Sequence, residues 1–321
     1  MADVCELRRR FRAAGNDHRN RSAFSSHLNQ EIAEDPQIVE LLLAAPEEQQ
    51  LPVLLLAAVH SLVLTDPGLE LGGRYPTVTA EPLDSDPVPA FARLCRDRAA
   101  DLQAIISTRA VQTNEVGRCA LLLPALGLIA EEVGALSLVD VGTSAGLNLH
   151  LDRYRYRYSP GGLVGPASPV LLECGTRGDV PIPEHVPLIT SRVGLDRAPV
   201  DVTDPDDANW PMACVWPDQA DRFERLRAAI GVAREHPVPL VRADAIEQLP
   251  AIVREQRRVA HPVVTNSWVL IFRRPDAEPT TSSNSMRSAE HRISPGCTPS
   301  RQGCARGCPF PKRFGSSISP S

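Results

Sequence analysis

The segment Leu136-Ser-Leu-Val-Asp140-Val-Gly142-Thr143-Ser144-Ala-Gly146-Leu-Asn148 constrains this chain more than any other, because an apolar run passes straight into a turn of small residues. The run predicts a buried strand, and Leu147 to Tyr154 predicts the helix that follows it. Glycine or another small residue at 142, 144 and 146 lets the backbone reverse tightly and lets a ligand approach main-chain amides at a helix N-terminus. That is the strand, turn and helix of a nucleotide-binding fold. Three later segments repeat the theme: Arg192-Val-Gly194-Leu-Asp196, with a helix expected near Pro199; Pro239-Leu-Val-Arg242-Ala-Asp244, before a predicted helix Ile246 to Gln256; and His261-Pro-Val-Val-Thr-Asn266-Ser267-Trp268, expected to be buried. Four apolar strands in order, each ending in acidic or polar residues, predict an α/β fold with a parallel sheet.

The residues at the strand ends set the candidate chemistry. Asp196 can accept both hydroxyls of a ribose, a bidentate task suited to a carboxylate, or can be an ordinary turn aspartate. Ahead of the first strand, Thr108 to Arg118 is a polar loop leading into an apolar helix, Cys119 to Val133, with Thr113 as a candidate N-cap. Gln112, Asn114, Glu115 and Arg118 either cap that helix and pair with one another or line a ligand pocket. Between the first and second strands the stretch 152–191 is longer than a crossover needs, which predicts an insertion. There Arg153, Arg155 and Arg157 alternate with Tyr154, Tyr156 and Tyr158, putting arginines on one face of a strand and tyrosines on the other. A solvated hairpin packed by its tyrosines and a flap offering guanidiniums to an anionic ligand both satisfy that pattern. Trp210 and Trp216 read as core aromatics ahead of a predicted helix, Gln219 to Arg234.

Residues 1–107 form a helical N-terminal region. Apolar residues recur at helical spacing from Val4 to Leu64, Asp35-Pro36 reads as a helix start, a Pro/Gly/Asp-rich connector spans Thr65 to Pro89, and Ala90 to Ile106 is helical again. The longest apolar runs, Leu51 to Leu64 and Ala120 to Ala130, fall short of the roughly 20 residues of a bilayer span. The N-terminus has no apolar leader, so a cytoplasmic protein without a membrane partner is expected. The eight cysteines, at 5, 95, 119, 174, 214, 297, 304 and 308, suggest neither a disulfide framework nor a metal site. Residues 1–271 carry 36 acids and 26 bases, whereas 272–321 carry 3 acids and 8 bases. An acidic body argues against a nucleic-acid partner and for a small-molecule substrate. Beyond Leu270 the periodicity stops, Ser, Pro, Arg and Gly dominate, and the only lysine of the chain, Lys312, occurs. Residues 271–321 are therefore expected to be a disordered, out-of-frame tail that truncates the sheet after its fourth strand.

From about Leu7 to Leu270 the chain resembles an actinobacterial family known only as a domain of unknown function, with a helical N-terminal region and a methyltransferase-like core. Thr108 to Arg118, Asp140 to Tyr158, Gly194 to Asp207 and Arg242 to Ala245 carry the resemblance. It implies a Rossmann-like, methyltransferase-type core over 108–270 and S-adenosylmethionine as cofactor. An acid at Asp140 is usual for methyltransferases and foreign to dehydrogenase fingerprints, and Asp244 stands where such enzymes read the adenine amino group. Ser144 departs from the glycine frequent at that position. On this reading Asp140, Gly142, Thr143, Ser144, Gly146, Asp196 and Asp244 hold the cofactor. Gln112, Asn114, Arg118 and Asn266 face the acceptor, with Glu115 as the candidate base. The alternatives are a dinucleotide binder of the NAD type, whose ribose-reading acid should lie ~20 residues beyond the fingerprint rather than at Asp196, and a non-catalytic ligand-binding or scaffold protein.

Overall fold

The structure, a computed structural model, describes residues 3–112 and 114–267 and the backbone of 319–320. The expected tail, Thr113 and Trp268 lie outside the described residues, apart from Ser319 and Pro320. The N-terminal region is built of six helices: α1 (Val4–His18), α2 (Ala23–Ile32), α3 (Pro36–Glu40), α4 (Pro52–Thr65), α5 (Val88–Asp97) and α6 (Ala99–Thr108). Their starts follow from capping chemistry. Asp3 accepts from the amide of Glu6, Ser22 from Ser25, and Asp35 from Gln37 and Ile38, satisfying donors that have no partner in the first turn. The stretch expected as one helix from Ala90 to Ile106 is two, because Arg98 leaves helical geometry between α5 and α6. The α4 helix is apolar all round and buried, at the centre of the N-terminal core with Leu7, Phe11, Phe91 and Ile106.

Among the described residues the main sheet has four parallel strands, β1 (Leu136–Val141), β5 (Ile189–Asp196), β6 (Leu240–Arg242) and β7 (His261–Asn266), in the order β6-β5-β1-β7. All six residues of β1 are buried, as a central strand covered on both faces requires. Val139, Val193 and Leu195 pack on one face against α10 (Ala245–Gln256). Leu136 and Leu138 lie in the cluster that includes α7 (Cys119–Val133), α8 (Pro205–Ala213) and α9 (Ala220–Glu235). This is an α/β architecture with helices on both sides of a parallel sheet. β7 differs from its expected burial. Only Thr265 is buried and Val264 is 43% exposed, since among the described residues β7 has one strand neighbour.

The insertion supplies β2 (Arg155–Ser159), β3 (Gly162–Val164) and β4 (Leu171–Gly175) of a second sheet, and β8 (Ser319–Pro320), from outside the insertion, pairs antiparallel with β4, so that among the described residues the order is β3-β2-β4-β8. Tyr154, Tyr156 and Tyr158 are fully buried on one side, and the arginine side carries the ion pair of Arg157 with Glu173. Each tyrosine hydroxyl donates to a main-chain carbonyl: Leu147 for Tyr154, Leu151 for Tyr156 and Ala120 for Tyr158. The last is the carbonyl that Pro124, with no N–H, leaves without its helical partner in α7. The first two bear on the segment expected as an α-helix. Leu147–Arg153 is a 3₁₀ segment kinked at His150, and carbonyls that would accept amides four residues on receive tyrosine hydroxyls.

Candidate functional site

The turn after β1 is left-handed at alternate residues: Gly142, Ser144 and Gly146 have φ of 73°, 51° and 71°. Glycine adopts this conformation freely, whereas serine does so at a cost. Hydrogen bonds from three directions hold Ser144 there. Its amide donates to Asp196 Oδ2 at 2.7 Å, and its hydroxyl donates to Gln112 Oε1 at 2.7 Å. Asn114 Nδ2 donates to the same hydroxyl at 3.1 Å, and Asn114 Oδ1 accepts from the amide of Ala145 at 3.3 Å. Gln112 Nε2 donates to the carbonyl of Ala198 at 2.9 Å. Thus the loop ahead of α7 lies over the turn as a strap. Its other end is tied to α8 by the Arg109–Asp207 ion pair at 2.7 Å and by Trp210, whose indole N–H donates to the carbonyl of Ala110.

Beside the turn is a cleft whose wall includes six of the residues expected from sequence: Asn114, Glu115, Arg118, Asp140, Gly142 and Thr143. Leu147, Asn148 and Ser267 complete it. It is small and partly open to solvent, with an internal volume of about 10 Å³, room for about one water molecule. Asp140 is 4% exposed and accepts from the hydroxyl of Thr265, its register partner on β7, at 2.7 Å. Burial raises its carboxyl above the usual aspartate range, opposed by that bond and by the charge of Arg118. Arg118 donates to the carbonyl of Ser267 at 3.4 Å.

The remaining expected residues lie elsewhere. Asp196 is behind the turn, half-buried, with Oδ2 on the amide of Ser144 and Oδ1 on that of Ala198 at 2.9 Å. It organises the loop that was expected to enter a helix near Pro199. The helix starts instead at Pro205, because Asp204 caps it through the amides of Asp206 and Asp207. Gly146 supports the turn from below: a Cβ there would lie 2.8 Å from Leu240 Cδ2. Asp244 caps α10 through the amide of Ile246 and pairs with Arg197, whose hydrogen bond holds its carboxyl below the usual range. Asn266 is exposed and does not line the cleft. Its neighbours Thr265 and Ser267 do the work on that side, as alternation along a strand dictates.

Glu115 departs from the expectation of a base. One oxygen accepts from the amide of Gly117 at 2.9 Å and lies 3.9 Å from Arg225, while the other meets Arg222 at 2.7 Å. Arg222 and Arg225, from the start of α9, carry no local signal that would place them beside a residue more than one hundred positions earlier. Cys119 donates to the side chain of Asn148 at 3.3 Å, and burial pushes its thiol well above the usual range, which leaves it unreactive. Among the described residues no group of three or more His, Cys, Asp or Glu side chains could hold a metal, and no helix is long and apolar enough to cross a membrane.

Comparison with known families matches residues 8–296 to one described as an uncharacterized protein conserved in bacteria (DUF2332). The chain belongs to that family. No curated protein and no solved structure matches it.

Proposed function

We propose that this chain has a Rossmann-like core of the methyltransferase type that binds S-adenosylmethionine and presents it to a small-molecule acceptor. One observation carries the reading: three carboxylates, Asp140, Asp196 and Asp244, stand at or just beyond the carboxyl ends of three adjacent parallel strands, around the turn Gly142 to Gly146. Ligands of open parallel sheets bind at that end, where the strand order reverses. With β1 central and the chain stepping first to β5 and β6 and then back to β7, that point lies beside β1.

The residues fit the cofactor in kind. A carboxylate has about four lone-pair positions. Asp196 gives one on each oxygen to the backbone, which leaves one on each for a ribose hydroxyl. Asp140, Gly142, Thr143, Ser144 and Gly146 would hold the centre of the cofactor and Asp244 its base, while Asn114 and Arg118 in the cleft wall would face the acceptor, Gln112 would brace the turn and Asn266, outside the cleft, would take no part. Bound there, S-adenosylmethionine supplies an activated methyl group. The chain's part is to align the acceptor and exclude water. Glu115 fixes Arg222 and Arg225 and thereby the cleft wall.

A dinucleotide of the NAD type fits less well. Its pyrophosphate needs free amides at the turn, but those of Ser144 and Ala145 point to Asp196 and Asn114. A carboxylate already seated on the turn repels a second anion. Titration calorimetry with S-adenosylmethionine, S-adenosylhomocysteine and NAD tests the reading. Binding of the first two but not the third is expected. Binding of NAD alone would overturn it, and binding of none would make the chain a scaffold.

A further inference from the structure

The end of the main sheet opposite the Gly142 to Gly146 turn carries apolar side chains in the open. β1, β5 and β7 begin side by side, with Leu136 in register with both Ile189 and His261, and neighbouring strands lie about 4.8 Å apart. The residues just before those three starts therefore gather at one pole: Val133 at the end of α7, Leu188 before β5 and Val259 before β7. Main-chain bonds tie the segments together there, since the amide of Leu136 donates to the carbonyl of Leu188 at 2.9 Å and that of His261 to the carbonyl of Ala135 at 3.3 Å. Val133 is 41% exposed, Leu188 67% and Val259 58%. Single exposed apolar residues are ordinary on a surface, but three large ones at one pole mark a contact surface.

The charges on the two sides of this pole decide what fits it. α7 covers one face of the sheet and α10 the other. The last turn of α7 brings exposed Glu131 and Glu132 to the first side, and the chain leaving α10 brings exposed Arg257 and Arg258 to the second, while Arg254 and Glu255 before them offset each other. An acidic rim, an apolar centre and a basic rim make a surface complementary to itself. A two-fold axis running between the rims lays the acids of one copy over the arginines of the other. A partner of one charge sign, such as a nucleic acid or an anionic membrane, would be repelled at one rim. We propose that this pole docks a second copy of the chain, giving an isologous dimer with Leu188 near its centre. The Gly142 to Gly146 turn lies at the other end of the strands, so the candidate site stays open in both copies, and the proposal stands apart from the cofactor reading.

The test is sedimentation equilibrium of the full chain over a range of concentrations. A dimer that dissociates on dilution is expected. Leu188→Asp should raise its dissociation constant by about tenfold or more, because it sets a charge at the centre of the contact. Reversing one rim, by Glu131→Arg with Glu132→Arg or by Arg257→Glu with Arg258→Glu, should weaken the dimer several-fold. Reversing both rims together should bring the affinity back toward the parent's, a recovery that a merely destabilised fold would not show. If Leu188→Asp fails to fold by circular dichroism, the rim variants decide. The proposal is overturned if the parent is a monomer at every concentration, or if folded Leu188→Asp dimerises as the parent does. It is equally overturned if the variant with both rims reversed stays as weak as those with one, because the acids and arginines would then not meet across the contact.

Discussion

Asp196 accepts the amides of Ser144 and Ala198 and so joins the turn after β1 to the loop after β5. Asp196→Ala strands two amides. A loss of ~1–2 kcal/mol of stability is expected by chemical denaturation, and a loss of ~1–3 kcal/mol in S-adenosylhomocysteine binding by calorimetry. An unchanged affinity in a folded variant would reduce Asp196 to a structural clip. Gly146→Ala places a Cβ 2.8 Å from Leu240 in a left-handed residue, so a loss of ~1–2 kcal/mol is expected from the strain alone. A melting temperature equal to the parent's would contradict that account. Asp140, Gly142 and Thr143 were legible in the sequence because a strand end and a glycine turn have local signatures. Asn148 was hidden in a segment read as a helix. Ser267 was displaced by its neighbour Asn266, because the sequence does not say which alternate residue of β7 faces the cleft.

At the level of elements, the insertion is fastened to the core by tyrosine hydroxyls on main-chain carbonyls. The link from Tyr158 to the carbonyl of Ala120, opened by Pro124, joins β2 to α7. Tyr158→Phe leaves that buried carbonyl without a partner and should cost ~1–3 kcal/mol, read as a lowered denaturation midpoint with an unchanged slope. No loss would mean that another donor reaches Ala120. The arginine and tyrosine alternation announced β2, and the strand-end acids announced the parallel sheet. What escaped the sequence reading was set by tertiary partners: the 3₁₀ form of Leu147–Arg153 comes with tyrosine bonds from the next strand, and the late start of α8 comes from a cap chosen over a nearer proline. The partner sheet of the insertion had no local signal, since β4 lies beyond a loop.

Across the whole molecule, the N-terminal helices are locked to the core by His60. Its Nδ1 lies 3.0 Å from the carbonyls of both Ala213 and Val215, and its Nε2 lies 2.9 Å from the hydroxyl of Thr77. Burial lowers its value from the ordinary 6.5 to about 4, and lowers that of buried His150 to about 3. The fold therefore favours the neutral rings. Stability is fully present above pH ~6.5 and falls on acidification toward the folded values, with His60 contributing up to ~3 kcal/mol. Asp140, raised by burial, acts in the opposite sense. Urea midpoints measured between neutrality and pH 4 should decline, and less steeply for His60→Gln; a flat profile would contradict the assignment. The strap from the N-terminal region crosses the same turn that the proposed cofactor would use, so binding should be felt at both. The most direct measurement is amide hydrogen exchange of the full chain with and without S-adenosylhomocysteine. The account predicts slower exchange confined to Gln112–Arg118, Gly142–Gly146 and the segments around Asp196 and Asp244. Bound ligand that leaves those amides unchanged while protecting another part of the surface would contradict it.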